Sequence, residues 1–350
     1  MDRRTFLKSG VAATAGIGAA NAVTAEAAAA PPSSSIALKT ALSPHFARGY
    51  LRDRADRFAQ RLKDMTGGRL TLDLIAAPPG SGIMNVRNGG AAAYFGTEAD
   101  HIGDHRGLSY FGGLPGGLSL APEHFATWLS AGGGQLYWDD IAADFGVKSF
   151  AVGHSGRRAG LWAARDIENS GTLAGRHGYM IGVAAHAAER LGVTTGFAAD
   201  TTPDLAEPLM GPTAWLADNP KEQNRIWFSD GFHRDGVVLS FGLSLDVWQH
   251  ISVQDQAILA ACANEAYYQS LAEHDAHDTA IAPHLFKARG VEQRRLPDDI
   301  SKAISHVTAV LLSEWQAGDV VSARIHASHM QFLQNITGTG DAAMPAAAVS

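Results

Sequence analysis

Segments that alternate like β-strands are separated, along most of this chain, by longer segments whose apolar residues recur at helical spacing. Residues 36–42 and 70–75 show the two-residue apolar period of strands, and residues 46–65 between them have an amphipathic helical pattern. Glycine and proline pairs separate the segments. Strands that alternate with helices in this way predict an α/β fold with mostly parallel sheets.

The length of 350 residues suits two such α/β lobes better than a single domain. The order of the segments predicts that the chain crosses between the lobes near residues 153–158 and again near residues 231–236. Residues 253–285 carry one long helical pattern, which predicts a helix that spans the lobes. Two lobes joined by crossing segments enclose a cleft that can close over a small molecule by a hinge motion.

Each predicted lobe is made from two stretches of chain. Lobe 1 combines residues 36–153 with residues 237–270, and lobe 2 combines residues 154–236 with residues 286–318. Residues 319–350 are rich in alanine and glycine, so they are predicted to form a partly disordered tail.

The beginning of the chain has the pattern of an export signal. The pair Arg3-Arg4 precedes a weakly apolar run over residues 11–23, and small residues typical of a cleavage site follow. A paired arginine before a mild apolar run is typical of the twin-arginine export route. Residues 1–30 are therefore predicted to be a twin-arginine signal peptide, which places the mature chain in the periplasm.

Charge and cysteine content exclude several classes of protein. The formal net charge of −7 gives no basic surface that could follow a phosphate backbone, so nucleic acid is not expected as a partner. The single cysteine, Cys262, excludes an intrachain disulfide and a cysteine-based zinc site. Its helix-like surroundings predict a small buried apolar residue.

A block of tryptophans and glycines is the most specific motif of the chain. It contains a Trp, three consecutive Gly, a second Trp and a Phe-Gly-Val-Lys strand start, and it reads ATWLSAGGGQLYWDDIAADFGVKSFAVGHSG over residues 126–156. The other segments that carry a match are residues 61–77, 161–182, 187–194, 230–236, 272–277 and 290–300. In this order, and behind an export signal, the segments resemble the TRAP transporter solute-binding proteins (DctP-like), in the mannitol/chloroaromatic or 2-oxoacid branch.

The resemblance covers roughly residues 36–320. It implies a two-lobed periplasmic binding protein fold of the type II-like kind, and an extracytoplasmic solute receptor that catalyses no reaction. The partners it implies are a small-molecule ligand, expected to be an organic acid, and the membrane permease subunits of a TRAP transporter. Some members of the family dimerise through the long C-terminal helix, so a homodimer stays open as an alternative.

Three departures from the family fall at its ligand-binding positions. Tyr179 stands where the resemblance implies an arginine that clamps the ligand carboxylate, and Arg158 stands where the 2-oxoacid branch has a glutamine. The Glu-Trp pair of that branch, whose carboxylate helps to hold a sodium ion, matches Ala214-Trp215 here. No cofactor is therefore expected, and sodium is disfavoured because Ala214 replaces the carboxylate.

Three interpretations of the cleft follow and stay open. In the first, Arg158 donates to an anion while Tyr179 supplies a hydroxyl and an aromatic wall, and Trp215 stacks on the ligand. In the second, the pocket is neutral and aromatic. In the third, the protein has diverged and no longer binds the family's ligands. Phe232 and His233 complete the candidate ligand-binding residues because they lie near a predicted crossing.

The main alternative is a periplasmic enzyme or metal-binding protein exported by the twin-arginine route. Histidines and aspartates do recur along the long helix, as His274, Asp275, His277 and Asp278. However, the chain has no G-x-S-x-G, H-E-x-x-H or Walker motif. Neither a catalytic residue nor a metal ligand is therefore predicted.

Overall fold

Two β-sheets organise the part of the chain that the computed structural model describes, which is residues 35–78, 80–157, 159–196, 203–220 and 225–338. The strands of these residues, in chain order, are β1 (Ile36–Leu42), β2 (Leu70–Ala76), β3 (Ala93–Gly96), β4 (Val147–His154), β5 (Leu161–Ala163), β6 (His177–Tyr179), β7 (Thr194–Thr195), β8 (Leu205–Ala206), β9 (Ile226–Phe228), β10 (Val238–Ser244) and β11 (Glu292–Arg294).

Helices connect and cover the strands. The α-helices of the described residues are α1 (Gly49–Met65), α2 (Gly82–Arg87), α3 (Ser109–Gly112), α4 (Pro122–Ser130), α5 (Gly134–Ala143), α6 (Gly182–Arg190), α7 (Pro212–Asp218), α8 (Leu245–His250), α9 (Val253–Ala280), α10 (Ala282–Arg289), α11 (Asp298–Gln316) and α12 (Val320–Thr337). None of them combines the length and apolar character needed to cross a membrane.

The two sheets are mixed in direction, whereas the sequence predicted mostly parallel sheets. The five-stranded sheet has the order β2-β1-β3-β10-β4, and β10 runs antiparallel to both of its neighbours. The six-stranded sheet has the order β11-β9-β5-β8-β6-β7, and β5 likewise runs antiparallel to both neighbours. These are the first strands after the first two passages of the chain from one sheet to the other, and the remaining pairs, including that of β11 after the third passage, are parallel. The apolar pattern does not encode strand direction, so this difference was not predictable.

The apolar faces of the elements form separate clusters around the two sheets. Phe58, Phe95 and Phe241 pack together between α1 and the five-stranded sheet. A second cluster lies over the six-stranded sheet, where Phe228 and Ile300 are fully buried or nearly so. Burial of such side chains stabilises each unit by about 1.5–3 kcal/mol per residue. The two-sheet α/β architecture predicted from the sequence is confirmed.

The long helical pattern forms two helices rather than one. The helix α9 ends at Ala280, and α10 begins at Ala282 with Pro283 in its first turn. Proline lacks the N–H that would continue the helix, which explains the break. While α9 packs on β4, α10 buries Phe286 against Trp162 and Trp227 at the other sheet. The two helices together span both sheets.

The segment expected to be a tail begins with a helix. Within α12, Ile325 and His329 are buried, and His329 packs edge-on against Trp128 of α4. The alanines that suggested a tail lie mostly at residues 342–348, whereas residues 320–337 contain only two, so the composition of the whole segment hid the helical pattern at its start. Residues 339–350 lie outside the described residues.

The triple glycine makes the tight turn that its position between two helical patterns indicates. Gly133 has a φ of 83°, and a Cβ atom placed on Gly134 would lie 2.6 Å from the Trp128 ring. Only glycine lets α5 start this close to α4. The Trp-Gly block therefore serves packing, not phosphate binding.

Candidate functional site

Two crossing segments connect the sheets. The first follows β4 and ends at β5, and the second follows β9 and ends at β10. The backbone N–H of Ser155 donates to the carbonyl of Val237 at 2.9 Å, and the N–H of Val237 donates to Ser155 Oγ at 2.8 Å. The two segments are thus hydrogen-bonded side by side between the sheets, which is the geometry of a hinge.

A pair of glycines brings the crossing segments into backbone contact. Gly156 and Gly236 have φ values of 88° and 81°, which side chains other than hydrogen rarely allow. A Cβ atom on Gly236 would lie 2.6 Å from His154 Cε1 and closer still to the carbonyl oxygen of Gly156. The crossing therefore requires glycine both for its dihedral angles and for space.

Two buried histidines flank this contact. His154 ends β4, where its backbone N–H donates to Ser270 Oγ of α9 at 3.0 Å and its Nδ1 accepts from the N–H of Gly156 at 3.1 Å. His274 lies one turn further along α9. Burial, with a smaller contribution from neighbouring positive groups, lowers the pKa of each histidine to about 3. Both imidazoles are therefore neutral at physiological pH.

Three side chains in mutual contact join the carboxyl ends of strands from both sheets. Tyr179 ends β6, and its hydroxyl lies 2.7 Å from Nδ1 of His45, which follows β1. The other ring nitrogen of His45 lies 3.4 Å from the Asp100 carboxylate, which follows β3. Because a carboxylate only accepts hydrogen bonds, Nε2 carries the proton of a neutral ring and Nδ1 accepts from the phenol. Burial and the nearby Asp100 raise the pKa of Tyr179, so it stays a phenol.

The contact between Tyr179 and His45 should favour the closed arrangement of the sheets. We expect Tyr179→Phe to remove about 1 kcal/mol from that arrangement, which shifts an open–closed equilibrium roughly fivefold towards the open state. Small-angle X-ray scattering of the ligand-free protein would record this as a larger radius of gyration.

Tyr110→Phe is the matched control for this change. The Tyr110 hydroxyl lies 2.9 Å from Nδ1 of His326, so the same kind of bond is lost, but it joins two helices that pack directly on each other, α3 and α12, and does not join the two sheets. This control should leave the radius of gyration unchanged. An equal expansion of both variants would show that the bond between Tyr179 and His45 does not govern closure.

A buried carboxylate and a buried histidine form a pair behind Tyr179. Glu207 directly follows β8, and its backbone N–H donates to the carbonyl of Tyr179 at 2.9 Å. Its two carboxylate oxygens accept from the backbone N–H of His233 at 2.8 Å and from His233 Nδ1 at 3.1 Å. Glu207 is 4% exposed and His233 is 3% exposed. The remaining ring nitrogen, His233 Nε2, is buried without a hydrogen-bond partner in the structure.

The other two predicted aromatic residues differ in surroundings. Trp215, on α7, is half-buried and packs against apolar clusters of both sheets, and its Nε1 is buried without a hydrogen-bond partner. Phe232 is fully buried among the apolar residues over the six-stranded sheet. Trp215 therefore lies between the sheets, whereas Phe232 is surrounded by the core of one of them.

The predicted arginine cannot be located in the same way. Arg158 lies outside the described residues. Its neighbour Arg157 forms an ion pair with Glu123. The role predicted for Arg158 remains a prediction.

A cavity of about 180 Å³ lies away from the crossing segments, between α1 and α9. Its three arginines are already paired, because Arg54 and Arg57 donate to Glu273 and Arg61 donates to Glu265. This arrangement ties the two helices together.

Three residues of the site were not singled out from the sequence, namely His45, Asp100 and Glu207. Their partners are distant along the chain, so no local pattern marks them. A usable signal was the position of each one just after a strand, since the carboxyl ends of strands line the clefts of α/β proteins. For Glu207, the lone carboxylate in the apolar stretch LAEPLMGP was a second signal.

Acidic and histidine side chains do not gather into a metal-binding cluster in the described part of the chain. Among the described residues, no group of three or more His, Cys, Asp and Glu side chains could hold a metal ion, and this includes the histidines of α9. Ala214, for which the sequence predicted the loss of the family's carboxylate, is buried, and that alignment remains a prediction. Glu207 does offer a carboxylate, but both of its oxygens already accept hydrogen bonds from His233.

Similar proteins are known at low sequence identity. No family model matches the chain. A monocarboxylate 2-oxoacid-binding periplasmic protein of Nostoc sp. is 23% identical over 294 residues, which covers 81% of this chain and 80% of the relative.

Solved structures of TRAP solute-binding proteins superpose on most of the chain. The protein from Bordetella bronchiseptica, with calcium and picolinate, has a TM-score of 0.79 at 18% identity and covers 88% of this chain and 94% of its own. The protein from Pseudoalteromonas atlantica, with sodium and pyruvate, has a TM-score of 0.77 at 20% identity over 87% and 96%. The protein from Colwellia psychrerythraea, with calcium and pyruvate, has a TM-score of 0.77 at 21% identity over 88% and 97%.

These similarities confirm the resemblance first seen in the sequence. The superpositions cover 87–88% of the chain. The chain has the two-lobed, mixed α/β fold of the TRAP periplasmic solute-binding proteins.

Proposed function

We propose that this chain is the extracytoplasmic solute receptor of a TRAP-type transporter, and that it binds a small organic acid between its lobes. The observation that carries the proposal is the chain of Tyr179, His45 and Asp100, which places polar side chains from both sheets at one cleft. The acids bound in the similar structures, pyruvate and picolinate among them, support the ligand class.

The proposal includes the cellular setting and the partners. The mature chain acts in the periplasm after export by the twin-arginine route, and it delivers its ligand to membrane permease subunits. Its lobes follow the boundaries predicted from the sequence. Closure is driven only by the ligand's higher affinity for the closed state, and no bond is made or broken.

Within the cleft, each predicted residue has a distinct role. Arg158 donates two charge-assisted hydrogen bonds to the ligand carboxylate, a task for which a planar guanidinium is suited. Trp215 offers its buried Nε1 and an aromatic face, and Tyr179 forms the opposite wall. The buried Nε2 of His233 faces the ligand, while Phe232 supports the wall from the core.

Thermal unfolding of the mature protein tests this proposal. Pyruvate, lactate and picolinate at 100 times their Kd should stabilise the fold by about 2.7 kcal/mol, while pyruvamide, which lacks the carboxylate, should have little effect. EDTA should not change the result. Consumption of an added acid, or a complete lack of stabilisation by this panel, would contradict the proposal.

Arg158→Ala and Arg157→Ala provide the matched pair of variants. Loss of a charge-assisted hydrogen-bond donor costs about 1.5–3 kcal/mol, so Arg158→Ala should weaken carboxylate binding by roughly 10- to 200-fold. Arg157→Ala should leave the Kd within about twofold, because Arg157 is bound to Glu123 at the surface. Carboxylate affinity that survives Arg158→Ala would refute the role given to Arg158.

A further inference from the structure

Glu207 is a buried carboxylate that needs a compensating partner. A side chain with 4% exposure has lost nearly all of its water, and a buried carboxylate is costly unless donors or a cation satisfy it. The hydrogen bond from its backbone N–H to the carbonyl of Tyr179 holds its main chain beside β6, and its side chain is enclosed there.

His233 supplies that partner from the second crossing segment. Its backbone N–H reaches one carboxylate oxygen at 2.8 Å and its Nδ1 reaches the other at 3.1 Å. Because the carboxylate can only accept, Nδ1 must carry a proton. The backbone of Gly231 completes the enclosure, since a Cβ atom there would lie 2.5 Å from the Glu207 oxygen. The second crossing segment thus wraps the carboxylate with donors.

The second ring nitrogen of His233 indicates a place for a ligand. Its Nε2 is buried and has no hydrogen-bond partner in the structure, although buried polar atoms are nearly always paired. The imidazole therefore has a carboxylate on one nitrogen and an unfilled hydrogen-bonding position on the other. A metal ion that bridged a buried carboxylate and a ligand would have the same two neighbours.

We propose that His233 takes the place of a bound cation in this protein: with a proton on each ring nitrogen, it donates from Nδ1 to Glu207 and from Nε2 to the carboxylate of the bound ligand. The similar structures were obtained with sodium or calcium together with their acids. Here two donors of His233 already satisfy the hydrogen-bonding needs of the buried Glu207 carboxylate, so we expect ligand binding to require neither ion. The part of this inference that concerns the ligand rests on the proposed receptor function. The part that concerns the cation does not.

Calcium titration of the ligand-free protein tests the proposal. The protein is first dialysed against EDTA in a buffer with choline chloride in place of sodium chloride, and its Tm is then measured with increasing CaCl₂ or NaCl. The wild-type Tm should change no more than it does with equal ionic strength of choline chloride. A rise of several degrees that is specific to calcium or sodium would overturn the proposal.

His233→Ala should create the cation requirement. This variant uncovers a Glu207 oxygen and opens space beside it, so its Tm should fall and then rise by roughly 3 °C or more with calcium near ten times its Kd. Adding Glu207→Gln should abolish that rise. His329→Ala, which removes another buried histidine, is the control and should show no response to calcium. If His233→Ala folds and does not respond to calcium, the proposal fails. If it does not fold in any buffer, the wild-type titration decides.

Pyruvate binding separates this proposal from the receptor function. Wild type that binds pyruvate equally in EDTA and in calcium supports both proposals. Binding that requires calcium overturns the role of His233 and leaves the receptor function intact. A failure of the whole acid panel in either buffer contradicts the receptor function, whereas the calcium response of the ligand-free variants still tests His233.

Discussion

Gly236→Ala is expected to be among the most damaging single-methyl substitutions in this protein. The methyl group would meet His154 Cε1 at 2.6 Å and the carbonyl of Gly156 even closer, at a φ of 81°. Dihedral strain alone costs about 1–2 kcal/mol, and separating two backbone segments adds to it, so we expect a loss of about 3 kcal/mol or more. Urea unfolding followed by circular dichroism would measure the loss.

Gly133→Ala isolates the strain from the steric clash. Gly133 has nearly the same φ, 83°, but no atom lies within 4 Å of the position that its Cβ atom would take. This control should lose only about 1–2 kcal/mol. Equal losses for the two variants would mean that the crossing segments can separate easily, and that their contact is not a constraint.

Mild acid is the second condition expected to destabilise the fold strongly. The pKa of His154 and of His274 is lowered from 6.5 to about 3 in the folded state, chiefly by burial. At a pH between these two pKa values, each of the two histidines is protonated in the unfolded chain and neutral in the folded chain. Stability therefore falls as the pH drops below about 6.5, by about 1.4 kcal/mol per pH unit for each histidine.

The pH slope of the unfolding free energy between pH 6 and pH 4.5 measures the number of protons taken up. We expect His154→Gln and His274→Gln each to reduce this number by about one. His250→Gln is the control, because the side chain of His250 is 75% exposed. An unchanged slope in either buried-site variant would show that the substituted imidazole titrates normally in the folded protein.

The sequence predicted the elements of the fold better than their arrangement. Apolar periodicity is local, so the strand and helix around residues 36–65 could be inferred from side-chain spacing alone. The direction of β10 depends on where the chain returns from the other sheet, which no local spacing records. Pro283, in contrast, was a local signal for the end of α9, and it was outweighed by the long apolar pattern around it.

The sequence predicted individual residues of the candidate site, but not the contacts between them. Tyr179 and His233 were inferred because they lie in segments that resemble a family, whereas His45 and Glu207 emerge only as their contacts. Tyr179 and His45 are 134 positions apart, and that pairing depends on how the two sheets are brought together. Without that arrangement, the sequence can mark Glu207 by its place in an apolar stretch after a strand, but it cannot identify His233 as its partner.

The place of β10 in the five-stranded sheet affects how the protein is made. During synthesis, β3 and β4 emerge before the six-stranded sheet, but the strand that lies between them emerges after most of that sheet. Their facing edges stay unpaired until residue 244 has left the ribosome, and unpaired edges invite association with other chains. Neither half can mature as an independent unit, so a ribosome that stalls between the two crossings would release an aggregation-prone fragment instead of a working lobe.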